Sequence, residues 1–559
     1  MNNEQTTTPT RPYLVHLLTK RQQHQLDVLI GLWFIVVTWF MFWWWEPKHC
    51  VDLFHTIFNS VIICWGMILP AYYFYFLRRM KKPNPELQIP VEWRVAMVVT
   101  RAPAEPFAMV KEMLFAMLAQ DVPHDTWLAD EDPDPEIIEW CRENNVFLSC
   151  RRDEPGYHNQ SWPRREKCKE GNLAFFYDRV GYANYDFVSQ MDADHIPEPG
   201  YLRKMLQGFC DPEVGYVSAP SMNDRNMKET WISRGRIYIE ASLHGSLQAG
   251  YHGKWNPICI GSHYAVRTKA LEAIGGLGPE LAEDHSTTFM FAAAGWKGVH
   301  SIDALAHGEG PATFKDCMLQ EFQWARSLAM IVLEMSPKYF GKLTLRQKFQ
   351  FGFAQSWYFL YGTVMTMAYT LAPIALATGI SFTNMSYLDY LVHAAVPIAA
   401  CIAIVSFVRR QGYLRPKNVP LLSWEAAFFV MARWPYVLWA AWDAVRAVYT
   451  KRYLIWAVTP KERKATGIPI RYLTPYLLIV GVNAAALSFR LPHITQIGYF
   501  YLTLLNIVCY TILLISIQVL HRKENNIKVS KEEMAVTSAS SRSSLELTPQ
   551  FQKSGVRMM

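Results

Sequence analysis

Three short clusters of acidic and aromatic residues lie in order along the central part of the chain. Residues 192–195 read Asp-Ala-Asp-His, residues 283–285 read Glu-Asp-His, and residues 320–324 read Gln-Glu-Phe-Gln-Trp. Each cluster alone is a weak signal, because motifs this short arise by chance. Their order, with long apolar segments on both sides, indicates chemistry on a metal-bound substrate beside a membrane.

The first cluster offers two carboxylates, Asp192 and Asp194, directly after a predicted buried strand at 187–191. Two carboxylates at this spacing can bind one divalent cation. Such a cation neutralises the charge of a nucleoside diphosphate leaving group. The alternative for a bare Asp-x-Asp is a solvated turn or a helix cap. The position after a strand favours the metal site, and we expect Mg²⁺ or Mn²⁺ as its cofactor.

The second cluster offers a carboxylate pair, Glu283 and Asp284, shortly after a glycine-rich turn. A carboxylate here could remove the proton from an acceptor hydroxyl as that oxygen attacks a carbon atom. The same residues could instead cap a helix and supply acidic charge to its first turn. Both interpretations can hold, because the start of a helix fixes a carboxylate in place. We therefore take Asp284 and Glu283 as the candidate catalytic residues.

The third cluster lies on a predicted amphipathic helix at 314–333 that precedes a long apolar segment. Gln320, Gln323 and Trp324 share one face of this helix by their spacing, and Arg326 follows them. An indole near a membrane could stack on a sugar ring; an interfacial anchor is the alternative. These four residues are candidates for substrate binding.

The elements that must position the clusters alternate between strands and helices. Strands are predicted at 95–100, 126–129, 146–149 and 187–191, and helices at 106–119 and 137–144. This alternation predicts an α/β domain with a mainly parallel sheet, in which ligands bind at the carboxyl ends of the strands. Thr100 and Asp130 lie at two such ends, and we add both to the substrate-binding candidates.

The apolar residues are concentrated in segments, because hydrophobic residues make up 51% of the chain while the mean hydropathy is only +0.01. Six segments can each cross a bilayer core of about 30 Å; they lie at about 28–45, 53–77, 351–380, 391–408, 473–491 and 497–520. A further apolar segment at 424–449 carries several charges. We interpret it as an interfacial or bundle-lining helix, with a seventh span as the alternative.

Basic residues flank the apolar segments on one side of the predicted bundle. By the positive-inside rule, six spans then place both termini and the polar central region in the cytoplasm. These flanks account for the net charge of +7, and no basic stripe with interleaved aromatics stands apart from them. We therefore expect an integral protein of the plasma membrane (the inner membrane in bacteria) with no nucleic-acid partner.

Further motifs resemble the processive family 2 glycosyltransferases, which include the cellulose, curdlan, chitin and hyaluronan synthases. The resemblance covers about residues 91–461 and includes Lys-Glu-Gly-Asn-Leu at 169–173, Gln-Met-Asp-Ala-Asp-His-Ile-Pro at 190–197, Ile-Gly-Ser-His-Tyr-Ala-Val-Arg at 260–267 and Val-Thr-Pro-Lys at 458–461. It implies an inverting transfer by an α/β GT-A domain inserted in an α-helical transmembrane bundle of about six spans plus interfacial helices.

The resemblance also implies roles for single residues. Asp130 would contact the nucleotide, Lys169 would hold the diphosphate with Asp192 and Asp194, Asp284 would be the general base, and Trp324 would cradle the acceptor sugar. Thr459 and Lys461 belong to a gating loop near the site.

The implied organisation runs along the chain in seven parts. They are a cytoplasmic N-terminal segment (1–26), transmembrane helices 1–2 (27–78), the cytoplasmic GT-A domain with its interfacial helix (79–337), transmembrane helices 3–4 (338–408), an interfacial helix and gating loop (409–469), transmembrane helices 5–6 (470–521) and a disordered cytoplasmic tail (522–559).

Two departures from the family pattern stand out. Gln323 occupies the position where the pattern Gln-x-x-Arg-Trp has arginine, and Arg326, one turn away, could partly substitute for it. Residues 130–132 read Asp-Glu-Asp instead of Asp-Asp-Gly. These departures favour a branch nearer to curdlan-type or other β-glucan synthases.

The expected function is a processive polysaccharide synthase. It would polymerise a β-glucan, with a curdlan-like β-1,3 or another β linkage, from UDP-glucose or another UDP-sugar, and translocate the growing chain across the bilayer. The alternatives are a non-processive transferase that loads one sugar onto a lipid carrier, and a transporter or scaffold with an inactive transferase-like domain. The sequence leaves the oligomeric state open.

Overall fold

The computed structural model describes residues 12–279, 282–451, 467–490 and 497–545. Its strands are β1 (Leu14–His16), β2 (Lys81–Pro83), β3 (Val95–Arg101), β4 (Asp125–Asp130), β5 (Phe147–Ser149), β6 (Phe187–Asp192), β7 (Ile196–Pro197), β8 (Val214–Ser218), β9 (Ser221–Met222), β10 (His263–Arg267), β11 (Lys297–His300) and β12 (Ala306–His307).

A seven-stranded sheet forms the centre of the polar domain, in the order β11-β8-β10-β6-β3-β4-β5. β3 pairs in parallel with β4 and β6, whereas β10 runs antiparallel between β6 and β8. The four strands predicted from the sequence are all present in this sheet. The mainly parallel arrangement is confirmed, with β10 as the reversed strand.

The sheet is buried on both faces, which explains the continuous apolar run of β3. Alternate residues point to opposite faces: Met97 and Val99 pack in a core with Met113 on one side, and Val98 packs with Phe176 on the other. The pairing register sets Thr100 opposite Asp192 and Arg101 opposite Asp130. Three predicted site residues therefore lie along one edge of the sheet.

The α-helices surround this sheet and form the membrane region. They are α1 (Lys20–Trp44), α2 (Leu53–Leu77), α3 (Phe107–Leu118), α4 (Pro135–Glu143), α5 (Lys169–Phe176), α6 (Tyr182–Asn184), α7 (Tyr201–Leu206), α8 (Trp231–Ser242), α9 (Gln248–Gly250), α10 (Thr268–Ala273), α11 (Glu283–Ala293), α12 (Phe314–Met330), α13 (Ser336–Tyr339), α14 (Leu345–Thr378), α15 (Tyr387–Arg410), α16 (Trp424–Thr450), α17 (Thr474–Arg490) and α18 (Ile497–Leu545).

Five of the described helices are long and apolar enough to cross a membrane: α1, α2, α14, α15 and the segment Ile497–Ile527 of α18. The fifth predicted span appears as a shorter apolar helix, Thr474–Phe489. α18 continues beyond its apolar part to Leu545, whereas the sequence predicted a disordered tail from residue 522. The Lys- and Glu-rich stretch directly after the span has good helix propensity, which favours the first part of this continuation.

The ambiguous segment at 424–449 forms one continuous helix, α16, which is not among the described helices that meet the criteria for a span. It packs against α8, α12 and α14. Val437 and Ala440 lie in an apolar cluster with Ala325 of α12 and Tyr361 of α14. These contacts agree with a bundle-lining helix and place α16 directly beside the third sequence cluster.

Candidate active site

A lysine and two carboxylates meet at the carboxyl ends of the central strands. Lys169, the first residue of α5, donates from Nζ to Asp192 Oδ1 at 2.6 Å and to the carbonyl oxygen of Gly261 at 2.6 Å. The N–H group of Gly261 donates to Asp284 Oδ2 at 2.6 Å. A Cβ atom at Gly261 would lie 3.1 Å from that oxygen, so glycine permits the close approach. We call Lys169, Asp192, Asp194 and Asp284 the strand-end cluster.

The two aspartates of the Asp-x-Asp motif have unequal environments. The side chain of Asp192 is 38% exposed, whereas Asp194 is only 1% exposed. Asp194 Oδ1 lies 3.1 Å from His195 Nδ1, and Asp194 Oδ2 accepts the N–H of Glu309 at 3.3 Å. A Cβ at Gly308 would lie 2.3 Å from the His195 ring, so this loop needs glycine there. Asp194 is therefore enclosed by the protein, while Asp192, paired with Lys169, is partly exposed to solvent.

The same motif has the geometry of a divalent-cation site. One candidate ligand atom from each of Asp192, Asp194 and His195 lies within 4.8 Å of the others. Two carboxylates suit Mg²⁺ and Mn²⁺, and an added imidazole suits Mn²⁺ better than Mg²⁺. The donor set therefore fits the expected cofactor.

The second sequence cluster forms the first turn of α11, where Ala282 occupies the cap position. The capping alternative is therefore not realised, although both carboxylates lie in the first turn. Asp284 accepts backbone N–H groups from Gly261 and His285, and burial raises its pKa. Glu283 accepts the Tyr264 hydroxyl at 2.8 Å, and burial raises its pKa to about 8. At neutral pH Glu283 is mainly protonated, which leaves Asp284 as the better-placed base.

Asp130 and Thr100 lie at the same sheet edge but have different surroundings. The Asp130 carboxylate is fully buried and pairs with Arg101 Nη1 at 2.9 Å and 3.1 Å. It also accepts the N–H of Asp132 at 3.0 Å, which shapes the turn after β4. Thr100 is half-buried and sits opposite Asp192 in the sheet. The described contacts of Asp130 thus stabilise the loop after β4. Arg101, the ion-pair partner of Asp130, was not predicted from the sequence.

The third sequence cluster is joined by two residues of α8. Arg236 Nη1 donates to Gln320 Oε1 at 2.7 Å, and its guanidinium carbon lies 4.2 Å from the centre of the Trp324 ring. Arg236 Nε donates to Glu240 Oε1 at 3.2 Å. We call Gln320, Trp324, Arg236 and Glu240 the indole cluster. Arg236 and Glu240 were missed; their only sequence signal is opposite charge at a four-residue spacing.

The remaining residues of this helix turn towards α16 or the interior. Arg326 is buried and donates from Nε to Asp443 Oδ2 of α16 at 2.8 Å. The Nε group of Arg326 thus pairs with α16, and the role of Arg326 as a partial substitute for the family arginine stays a prediction. Gln323 is buried on α12. Thr459 and Lys461 lie outside the described residues.

Comparison with known proteins places this site in a family. Residues 187–517 match the family model described as glycosyl transferase family group 2. The chain belongs to this family. The predicted GT-A domain within a helical membrane bundle is confirmed by this match together with the mixed sheet and the apolar helices described above.

The glycosyltransferase is similar to two cellulose synthases over part of its length. It is 28% identical over 173 residues to the cellulose synthase catalytic subunit [UDP-forming] of Xanthomonas axonopodis pv. citri, covering 29% of this chain and 23% of the relative. It is 23% identical over 300 residues to cellulose synthase 2 of Novacetimonas hansenii, covering 53% of this chain and 18% of the relative. The matched regions thus span less than a quarter of these relatives.

Among solved structures, the mannosyltransferase PcManGT from Pyrobaculum calidifontis in complex with GDP-Man and Mn²⁺ aligns with 84% of this chain and 99% of its own. The sequence identity is 16% and the TM-score is 0.37, a likeness too distant to carry an argument.

Proposed function

We propose that this glycosyltransferase is a processive inverting enzyme that polymerises hexose units from a UDP-sugar and passes the product through its membrane bundle. One observation carries the proposal: the Gly261 peptide joins the Lys169–Asp192 pair to the Asp284 carboxylate through two hydrogen bonds of 2.6 Å. A group that binds the donor and a group that accepts a proton are therefore held within one rigid unit.

The donor side of this unit suits a nucleoside diphosphate. Asp192 and Asp194 would hold Mg²⁺ or Mn²⁺, which neutralises charge on the diphosphate when it is bound. Lys169 adds a cation beside Asp192, held by the carbonyl of Gly261. Asp130 and Thr100 lie on the neighbouring strand ends, which is where a nucleotide binds in sheets of this type.

The acceptor side suits proton removal from a hydroxyl group. The acceptor oxygen attacks the anomeric carbon, its proton passes to Asp284, and the bond to the diphosphate breaks, so that UDP leaves. Two backbone N–H groups orient the Asp284 carboxylate, and its raised pKa makes it a stronger base. Attack from the face opposite the leaving group inverts the anomeric configuration.

The membrane side suits an elongating chain. Trp324 offers an aromatic surface on α12, and α12 packs along α16 and α14. We propose that Trp324 stacks on the acceptor sugar and that Gln320, Gln323 and the gating loop with Thr459 and Lys461 complete the entrance of the passage. The polar domain, proposed at 79–337, and both termini then face the cytoplasm of a plasma membrane.

We further propose UDP-glucose as the donor and a β-glucan, curdlan-like or with another β linkage, as the product. The resemblance to cellulose synthases supports glucose as the sugar. Gln323, at the position of the family arginine, supports a branch outside cellulose synthase itself.

The test is turnover by the purified full-length protein in lipid nanodiscs with Mg²⁺ or Mn²⁺. We expect UDP release from UDP-glucose, and a polymer whose linkage is read by methylation analysis. A single sugar on extracted lipid would indicate the non-processive alternative. An absence of turnover with UDP-glucose, UDP-N-acetylglucosamine and GDP-mannose would contradict the synthase proposal and favour an inactive scaffold.

A further inference from the structure

Trp324 does not stand alone on its helix, because a buried arginine from α8 covers one face of its ring. The Arg236 guanidinium carbon lies 4.2 Å from the ring centre, and Arg236 Nη1 donates to Gln320 Oε1 one turn away on the same helix. Arg236 is 6% exposed. A planar guanidinium that both stacks and donates in one plane fixes the rotation of an indole as well as its position.

Arg236 is itself held by a largely buried carboxylate, whose side chain is 14% exposed. Glu240 Oε1 accepts from Arg236 Nε at 3.2 Å. Burial raises the pKa of Glu240, but the charges of Arg236 and His244 outweigh burial and hold it at about 2. The pair is therefore ionised at physiological pH. A buried ion pair contributes little net stability, so its value lies in the geometry it imposes.

The ion pair continues into a polar chain that reaches the metal-binding motif. Glu240 Oε2 lies 3.7 Å from His244 Nε2, and His244 Nδ1 accepts the N–H of Ser221 at 3.4 Å. Ser221 Oγ lies 3.2 Å from His195 Nε2, and His195 Nδ1 lies 3.1 Å from Asp194 Oδ1. Buried side chains thus connect the indole cluster with the aspartate that the backbone of Glu309 also holds.

Helix α8 is anchored independently of these contacts. The N–H of Trp231 at its start donates to Glu524 of α18 at 2.8 Å, and Arg234 Nε donates to Glu425 of α16 at 3.1 Å. Arg234 and Arg236 are two residues apart on one helix and both pair with a glutamate, but only Arg236 faces Trp324. Arg234 is therefore a matched control.

We propose that Arg236 is a positioning residue, held by Glu240, that fixes the Trp324 indole in the orientation that receives the acceptor sugar. This inference rests on the proposed role of Trp324 in the transfer reaction. One face of the indole is occupied by Arg236, so the sugar stacks on the other.

The contact itself is tested without substrate by a double-mutant cycle on the full-length protein in nanodiscs. Arg236→Gln, Trp324→Leu and the double variant are compared by the shift in apparent Tm, and Arg234→Gln replaces Arg236→Gln in the control cycle. We expect non-additive shifts for Arg236 with Trp324 and additive shifts for Arg234 with Trp324. Additive shifts in both cycles would overturn the inference, whatever the enzyme transfers.

The positioning role is tested by measuring kcat and the donor KM independently, with UDP-glucose and Mg²⁺ as substrate and cofactor. Misplacement of a binding group by about 1 Å costs on the order of 100-fold in rate, so we expect Arg236→Gln to lower kcat about 10- to 100-fold. The donor KM stays within about threefold, and Arg236→Lys recovers only part of the rate because ammonium lacks the planar fork. Arg234→Gln keeps the wild-type kcat.

The outcomes of the kinetic test contradict two different proposals. A wild-type kcat in Arg236→Gln, or a rise in its donor KM equal to the fall in its kcat, would overturn the positioning role. Wild-type protein that releases UDP from none of the nucleotide sugars would overturn the proposed function, while the thermal cycle still decides whether Arg236 holds Trp324.

Discussion

The strand-end cluster and the indole cluster are held in place by different kinds of contact. In the strand-end cluster, Lys169 pairs with the Asp192 side chain, and backbone groups of Gly261 and His285 also bind the side chains of Lys169 and Asp284. In the indole cluster, a side chain of α8 binds side chains of α12, and no backbone group enters the contacts described for Arg236.

The difference shows which part of the site can vary. Backbone contacts follow from strand order and register, so they persist when surrounding side chains change. Side-chain contacts between helices depend on pairs such as Arg236 and Gln320, which are 84 residues apart. A change in one partner requires a change in the other, and the departure at Gln323 lies in this second region. Substitutions in the strand-end cluster should therefore affect chemistry, and those in the indole cluster should affect alignment.

The sharpest test of the strand-end cluster is Asp284→Asn. The amide keeps the shape of the carboxylate but cannot accept the acceptor proton, and general-base catalysis contributes on the order of 10²- to 10⁴-fold. We expect kcat to fall about 1,000-fold, measured as UDP release, while UDP binding measured by calorimetry stays within about twofold.

The neighbouring Glu283→Gln is the matched control for this substitution, because it removes a carboxylate from the same helical turn. If Asp284→Asn polymerises at the wild-type rate, the base is another residue and the chemical distinction between the two clusters fails.

A smaller effect is expected at His195, whose side chain contacts Asp194 of the strand-end cluster. Loss of a residue that orients a metal ligand typically costs about 10- to 100-fold in metal affinity. We expect His195→Ala to weaken Mn²⁺ binding by that factor, measured by electron paramagnetic resonance. His124→Ala, at a hydrogen-bonded histidine beside β4, should bind Mn²⁺ like the wild type. Unchanged affinity in His195→Ala would mean that Asp194 is not a ligand or needs no support.

The same contrast explains what the sequence could reveal. The strands that carry Thr100, Asp130 and Asp192 were predictable, because each is a short segment rich in β-branched, aromatic or other apolar residues that ends in a polar residue. Their meeting at one sheet edge follows from parallel pairing. β10 was not predicted as a strand, since its alternation is short and its reversed direction depends on pairing with β6 and β8.

The helix-borne contacts could not be predicted in this way. Arg326 shares a helix with Gln323, and helical spacing alone does not show that Asp443, 117 residues away, receives its guanidinium. Arg236 belongs to no motif, and its stacking on Trp324 arises only when α8 and α12 pack together. The sequence thus predicted residues that lie at strand ends better than contacts that depend on the packing of distant helices.

The smallest expected effect on catalysis comes from Glu283→Gln. This substitution distinguishes the role of Glu283 from that of the adjacent Asp284. Because burial raises the Glu283 pKa from 4.5 to about 8, the side chain is mainly neutral at pH 7, and glutamine reproduces its shape. We expect kcat to stay within about threefold of the wild type at pH 7. A loss as large as that of Asp284→Asn would show that Glu283 reacts as a carboxylate.

The same substitution should change how stability depends on pH. The folded state keeps a proton that the unfolded state releases, so the contribution of Glu283 to stability is fully present below pH 4.5 and is lost as the pH rises through about 8. The apparent Tm of the wild type should therefore fall more steeply over this window than that of Glu283→Gln, which does not titrate. Parallel curves of apparent Tm against pH would mean that Glu283 is ionised in the folded protein. Burial at the start of α11 would then not give Glu283 a protonation state different from that of Asp284.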